Sequence, residues 1–583
     1  MKSIKLHKIL LTLLFFIAFG LRFYNLSKTP PSLNWDEVSH GYNAYSILKT
    51  GKDEWGKPLP VIFKAYGDYK LPVYIYFTSL SEFFFGITPF AVRLPSALAG
   101  IGTLIFTYLL VIKLFHKKFY RSELVPYRLL AIITLLLVTV EPWSLFLSRA
   151  GFEANLSLFF IVSGVYFFIE AISQTKTYLL VSIFLMGLSV WTYNSARIFV
   201  PLLIIILILL FKKELLAIFR KEKKLFTACF LLFAFLFIPM FIQLINPVGQ
   251  ARYGKVSIID EGAISQIIKA RLNSTYPPVL VRLIYNRPIY FLKRFLVNWV
   301  SHFSFSFLFF EGGNNYQFNV PNHGLLYWIN LPFFLLGLFW ILRNTLKKDR
   351  VSIFLLSWLF LAPIPSSLTR EAPHTLRAIT MLPVPMIVTS LGFLKINNYF
   401  NKKSLVFKTL MYGILVLGFS TLYLIKYFGD YNKKYSWSWQ YGYKEVVAYV
   451  RKNFDKYDKI VVTKRYGEPH EFFLFFWSWD PEDFINDENL TRFYQSNWYW
   501  VDSFNKFYFI NDWEISENNT FGITRSVTDR DIFKLESGKL VDCSLLQHKC
   551  LLITSPGNNP KNWKKLETIN FLDGQPAFEI YEN

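Results

Sequence analysis

Asp36 and Glu37 stand side by side in Asn34-Trp35-Asp36-Glu37-Val38-Ser39-His40-Gly41-Tyr42, just after the first long apolar run. Adjacent carboxylates with a histidine nearby can take a proton, orient a base or hold a cation. Asn34 is a good N-cap, and the helix dipole favours anions in the first turn. The stretch therefore predicts a helix that runs to Lys49 and stops at Gly51. Asp36 and His40 would share one face of it. The plain alternative is that the two acids only charge a helix start.

Cations follow at related places. Lys70, in Tyr66-Gly67-Asp68-Tyr69-Lys70-Leu71-Pro72, opens an aromatic, amphipathic stretch, and Arg93, in Arg93-Leu94-Pro95-Ser96, opens an apolar run. Ser148-Arg149-Ala150-Gly151-Phe152-Glu153 sets Arg149 and Glu153 on neighbouring turns. Arg197, His323, His374 and Arg377 complete the set. Lys and Arg match phosphate oxygens, so a carboxylate base facing several cations suits a transfer that leaves a phosphate behind. On that reading Asp36 is the base, helped by Glu37 or His40. Lys70, Arg93, Arg149 and Arg377 bind phosphate, and Glu153 positions the acceptor or a cation. The bland readings are snorkelling for Lys70 and Arg93, and a helix-mouth ion pair for Arg149 with Glu153. His323 and His374 are hydrogen-bonded structural residues or, with Asp36 and Glu37, ligands of a divalent cation.

Such residues need a scaffold, and composition names it. Of the 583 residues 53% are hydrophobic and 18% charged, against roughly 25% charged in soluble domains. Runs such as Ala154–Ile169, Leu225–Leu244 and Thr409–Ile425 carry no charge, which is the mark of membrane-spanning helices. Soluble and disordered classes are excluded. The net charge of +23 does not indicate nucleic acid, because Lys and Arg gather in short loops between apolar runs: Lys113–Arg128, Lys212–Lys224, Arg343–Arg350 and Lys395–Lys408.

About eleven spans are expected: 6–25, 92–115, 126–143, 154–172, 177–194, 197–212, 224–245, 324–342, 352–368, 376–395 and 405–427. The first is read as uncleaved. With the N-terminus cytoplasmic, every Lys/Arg-rich loop falls inside, and segments 27–91, 246–323 and 430–583 fall outside. The ionisable set above then lies at the outer helix ends. The fold expected is a multi-pass α-helical membrane domain, 1–429, with an extracytoplasmic α/β domain, 430–583. In the latter Lys459–Thr463, Phe472–Trp477, Cys550–Thr554 and Phe578–Tyr581 read as strands and Tyr443–Asn453 as a helix. Cys543 and Cys550 could pair there, and Trp437, Trp439, Trp477, Trp479, Trp498 and Trp500 could stack on sugars or anchor at an interface.

The Asp-Glu pair, the Lys-x-Pro start and the Arg-Leu-Pro-Ser opening resemble the protein O-mannosyltransferase and aminoarabinose transferase group, glycosyltransferase family 39-type proteins of the GT-C superfamily. The Ser-Arg-x-Gly-Phe-Glu loop, the Tyr193–Arg197 turn, Asn322-His323-Gly324 and Pro373-His374-Thr375-Leu376-Arg377 look like bacterial members. The similarity covers about 1–400 and is most specific in 34–100; the 430–583 domain matches only in position and type. It implies an integral membrane glycosyltransferase with a polyprenyl-phosphate sugar donor and a protein, glycan or lipid acceptor, acting on the outer face of the plasma membrane. Asp36 maps to the family's base, Glu37 to its neighbour, Lys70 to the lysine that holds lipid phosphate, and Arg93 to the arginine of the second span. Glu153 stands where the family often has Asp. The family pattern is Lys-Pro where this chain has Lys-Leu-Pro. Tyr69 replaces the acid of the aminoarabinose branch's metal site, so that metal is not carried over. A single base facing a phosphate leaving group fits inversion. A transporter or lipid flippase is the alternative, and it would show midplane charges, broken helices and a repeat, none of which the sequence contains.

Overall fold

A bilayer accepts only backbone that satisfies its own hydrogen bonds, so charge-free runs must become helices. The computed structural model describes residues 2–116, 119–120, 125–246, 253–399, 405–495, 498–515, 532–544, 548–558, 560 and 563–583. Among them seven helices are long and apolar enough to cross a membrane: Pro89–Leu114, Glu153–Ser173, Lys223–Ile245, Trp328–Leu346, Arg350–Ser367, Ile379–Ile396 and Phe407–Lys434. Tyr127–Val140, Tyr178–Val190 and Ala196–Leu210 are shorter apolar helices, and Lys2–Phe23 is a further helix at the first expected span. The protein is an integral, multi-pass membrane protein, mostly helical, with a mixed β-sheet region near its C-terminus.

The chain divides into two compact units: residues 1–24 with 96–424, and residues 25–95 with 425–583. The first unit is helical. Its helices approach closely where side chains are absent. A Cβ on Gly337 would lie 1.9 Å from the Val388 carbonyl oxygen, and one on Gly392 1.9 Å from that of Phe333. Helix Leu331–Leu346 therefore touches helix Val384–Tyr399 backbone to backbone, the packing that small residues allow inside membranes.

The second unit is built on a seven-stranded mixed sheet. Its hairpins, in chain order, are β1 Phe63–Ala65 with β2 Asp68–Lys70, outside the sheet, and β7 Ile532–Lys534 with β8 Leu540–Asp542, also outside it. The sheet itself comprises β3 Lys459–Thr463, β4 Thr491–Gln495, β5 Trp498–Phe504, β6 Phe507–Ile510, β9 Cys550–Thr554, β10 Lys564–Asn570 and β11 Pro576–Glu582. The spatial order is β10-β11-β9-β3-β6-β5-β4. Strand β3 runs parallel to both neighbours, β6 and β9. Cys543 and Cys550 form a disulfide at the start of β9.

Three of the four expected strands are strands here, and Tyr443–Asn453 is a helix. Phe472–Trp477 is not a strand. It belongs to helix Pro469–Trp477, whose residues 469–475 are all buried. A short run buried on every side has no period to read, and Pro469 at the first helical turn presets the helix. Val38 and Tyr42 of the first-loop helix share one apolar core with Phe472, Phe475, Phe504 and Phe578. Gly41 makes that possible, since a Cβ there would sit 2.3 Å from the Phe475 ring.

Candidate functional site

The helix after the first apolar run spans Trp35–Thr50 and ends on Gly51 at φ 71°. Its start is a capping box. The Glu37 N–H donates to Asn34 Oδ1 at 2.9 Å, and the Asn34 N–H donates to Glu37 Oε2 at 3.1 Å. That geometry turns the Glu37 carboxylate inward. Arg93 meets it there, donating from Nε to Oε1 at 2.8 Å and from Nη2 to Oε2 at 3.1 Å. Arg93 also donates to the carbonyls of Leu26 (3.0 Å), Pro30 (2.8 Å) and Ser32. Both side chains of this pair are buried, and all five guanidinium N–H groups have protein acceptors.

One residue earlier, Asp36 points the other way. Its side chain is 45% exposed, and Lys70 Nζ donates to its Oδ1 while itself being 9% exposed. Lys70 ends the β1–β2 hairpin, opposite Phe63. The hairpin tip is tight: Tyr66 has φ 38° and Gly67 φ 91°. A tyrosine in the left-handed region is strained by about 1–2 kcal/mol. The Tyr66 hydroxyl donates to the Trp35 carbonyl at 2.7 Å and so ties the hairpin to the helix start. Two neighbouring carboxylates thus have two cations and two tasks. The Glu37–Arg93 pair is internal, and the Asp36–Lys70 pair opens outward. His40 is buried one turn on, with its ring 5.1 Å from that of Tyr74.

The remaining predicted residues lie in the helical unit. Arg149 donates to the carbonyls of Leu21 and Tyr24, the latter at 2.7 Å. Glu153 is the first residue of helix Glu153–Ser173. Arg197 donates to the Val190 carbonyl at 3.2 Å and to Gln243. His323 Nδ1 lies 2.9 Å from the Gly324 carbonyl oxygen, and its ring is 4.9 Å from Tyr423. His374 Nδ1 accepts from the Arg377 N–H at 3.3 Å. Arg377 donates to Thr369 Oγ1 at 2.8 Å and to Glu371 at 2.9 Å. Among the described residues no three His, Cys, Asp or Glu side chains are placed to hold a metal ion.

No protein-family model matches the chain, and no curated protein matches it. Solved structures do. In fold the chain is similar to membrane glycosyltransferases. The archaeal oligosaccharyltransferase AglB from Archaeoglobus fulgidus, in complex with an inhibitory peptide and a dolichol-phosphate, aligns at 14% identity and TM-score 0.46 over 80% of this chain. ArnT from Cupriavidus metallidurans, bound to undecaprenyl phosphate, aligns at 13% identity and TM-score 0.42, covering 82% of this chain and 76% of that one. The chain spans 63% of the length of the AglB chain.

A group that the sequence reading passed over lies behind the Asp36–Lys70 pair. Glu54, Glu468, His470 and Glu471 are all buried. The Glu54 and Glu471 carboxyls interact with one another, and the Tyr499 hydroxyl donates to Glu54 at 3.2 Å. Glu468 accepts from Trp498 Nε1 at 2.8 Å, and Trp498 stacks on Tyr66 with ring centres 5.9 Å apart. Of the other tryptophans, Trp439 is fully buried, and Trp477 and Trp479 pack on Phe454 and Phe507. The Gly467-Glu468-Pro469-His470-Glu471 run was the available signal. It sits beside the segment read as a strand, so its carboxylates had no fixed direction.

Burial pushes the Glu54 carboxyl up to about 7 and, with Glu54 and Glu468 nearby, raises Glu471 well above the carboxylate range. Burial holds His470 well below its usual value, hence neutral. At the lower end of the window from about 4.5 to about 7 the carboxyls are protonated in both states. As pH rises, the unfolded chain releases a proton that the folded unit keeps. Stability conferred by protonated Glu54 is therefore lost across that window, and Glu471, raised in the same direction, loses its share as pH rises through its own elevated range. Glu471→Gln, which mimics the protonated form, should raise the melting temperature at pH above 7 and change it little near pH 4.5. Melting curves of parent and variant at the two pH values check this. Equal shifts at both would remove the pair as the source.

Proposed function

We propose that this protein transfers a sugar from a polyprenyl-phosphate donor to an acceptor hydroxyl on a protein, glycan or lipid, with inversion, on the outer face of the plasma membrane. Residues 1–429 form the membrane catalytic part and 430–583 an outer domain, with the N-terminus cytoplasmic. The observation that carries this reading is the Asp36–Lys70 pair, a half-exposed carboxylate against a nearly buried ammonium. A phosphate arriving at Lys70 competes with Asp36 for the same N–H donors. Its binding would therefore release the carboxylate to take the acceptor's proton, while the ammonium stabilises the departing lipid phosphate.

In this proposal Glu37 and Arg93 are positioning residues. They fix the first turn of the helix that presents Asp36, and their polar atoms are engaged with one another and with backbone. Arg149 and Arg377 are kept as phosphate ligands, Glu153 as the group that orients the acceptor, and Arg197, His40, His323 and His374 as supports. The undecaprenyl phosphate and dolichol-phosphate of the ArnT and AglB structures are ligands of the class proposed here.

A transfer assay in membranes, with a radiolabelled polyprenyl-phosphate sugar, tests the reading. Label should move to an acceptor, and Lys70→Ala should both raise the donor concentration needed for saturation and lower turnover. Uptake of label without transfer would instead indicate a transporter. Normal saturation and turnover in Lys70→Ala would return Lys70 to a structural part.

A further inference from the structure

Residues 262–310 contain no Asp or Glu, yet they carry Lys269, Arg271, Arg282, Arg287, Lys293 and Arg294. All six cations are exposed. They lie on three helices, Glu261–Leu272, Pro278–Ile284 and Arg287–Ser301. At 12, 7 and 15 residues these are shorter than the roughly 20 residues a span needs, and the cations recur along them.

The same helices leave large apolar side chains uncovered. Leu272, Val279, Leu283, Leu292, Leu296 and Val300 are all exposed. On the third helix Ile289, Leu292, Leu296 and Val300 follow the spacing of one helical face. Its other face meets protein: Asn298 is buried, and the Trp299 ring lies 5.6 Å from Phe360. One face of this helix thus packs on its own chain, and the other is apolar and exposed among the described residues.

Its height is fixed by hydrogen bonds. Asn298 Nδ2 donates to the carbonyls of Ser367 (3.3 Å) and Thr369 (2.9 Å). Trp299 Nε1 donates to the Phe360 carbonyl at 2.9 Å, and His302 Nε2 lies 2.8 Å from Ser366 Oγ. The Ser366, Ser367 and Thr369 acceptors sit at the end of the membrane-length helix Arg350–Ser367 or just beyond it, and Phe360 lies about two turns inside it. The first helix is tied to the same place, because Arg370 pairs with Asp260, its N-cap. The Tyr290 hydroxyl, 2.9 Å from Gln266, joins the first helix to the third. The trio is therefore held where a membrane-length helix ends, which is where hydrocarbon gives way to headgroups.

We propose that these three helices form an interfacial surface for anionic phospholipid, with the apolar face in the acyl boundary and the six cations on lipid phosphates. Amphipathic helices with Lys and Arg beside an apolar face bind in this way. Charge complementarity selects this occupant. A second copy of the surface would bring twelve cations together against only the two Glu261 carboxylates, and a zwitterionic leaflet would leave the charge bias unanswered. Each Lys or Arg at an anionic surface strengthens association about fivefold at low salt.

The test uses the full-length chain in lipid nanodiscs, with Leu292→Cys carrying an environment-sensitive fluorophore and Val300→Cys as a second site. Cys229 is buried and Cys543 and Cys550 are bonded, so labelling is selective. The label should be quenched by headgroup-nitroxide phosphatidylcholine and shielded from iodide. Both effects should grow as phosphatidylglycerol replaces phosphatidylcholine, and Lys293→Gln with Arg294→Gln should weaken that growth severalfold. Free access of iodide at both sites in every lipid would overturn the proposal. So would shielding that is indifferent to phosphatidylglycerol and to the two substitutions. Shielding that follows the number of chains per disc would assign the face to a second copy and overturn it equally.

Discussion

Asp36→Asn should lower turnover by about 10²–10⁴-fold, the usual contribution of a general base, while the protein still folds and binds donor. The substitution keeps the shape of the side chain and an oxygen for the Lys70 ammonium, but removes the basicity. Asp36 is the outward member of the two carboxylates at the head of helix Trp35–Thr50, so its loss leaves the capping box and the buried pair intact. Turnover in a reconstituted transfer assay, with thermal melting and donor binding as controls, reads the effect. Chelator and metal add-back separate loss of a base from loss of a cation ligand. A variant within about threefold of the parent, well inside that range, would remove Asp36 from the mechanism.

Arg93→Ala should fail differently. It leaves the Glu37 carboxylate buried without its cation and strips a donor from the carbonyls of Leu26, Pro30 and Ser32. Breaking a buried pair from one side costs about 3–5 kcal/mol, a large part of the roughly 5–15 kcal/mol that holds a typical domain. The loss should show as a lower melting temperature and faster proteolysis of the unit formed by residues 25–95 and 425–583. Arg93→Lys should recover little, since one ammonium cannot reproduce a fork that serves four residues. Glu37→Gln together with Arg93→Met should recover more than either alone. An Arg93→Ala variant that melts normally and is altered only in donor saturation would make Arg93 a phosphate ligand.

The contrast between these residues shows what a sequence can carry. Asn34 and Gly51 mark both ends of their helix because caps are local, and charge-free runs mark spans because lipid allows no other backbone. Asp36 and Lys70 stood out by type and by family resemblance. Arg93 reads as a phosphate ligand because a guanidinium matches phosphate oxygens and the resembling family has an arginine there. Its actual acceptors are mostly backbone carbonyls, which every residue has and no pattern reveals. Glu54 and Glu471 were invisible for another reason. Their interaction joins a loop near the start of the chain to a helix near its end, and most of that helix, Phe472–Trp477, reads as a strand in sequence.

Val38 and Phe578 lie in one core, although the chain between them includes most of the membrane helices. During synthesis the loop after the first helix therefore emerges long before the C-terminal elements that share its core. At about 5–20 residues per second, it must wait tens of seconds with Val38 and Tyr42 uncovered. Biogenesis then has an order that the linear map conceals: most spans are made before helix Pro469–Trp477, whose Phe475 packs against Gly41 of the helix that bears Asp36. A ribosome that stalls before helix Pro469–Trp477 would release a chain whose Val38 and Tyr42 lack the apolar partners they have in the folded unit.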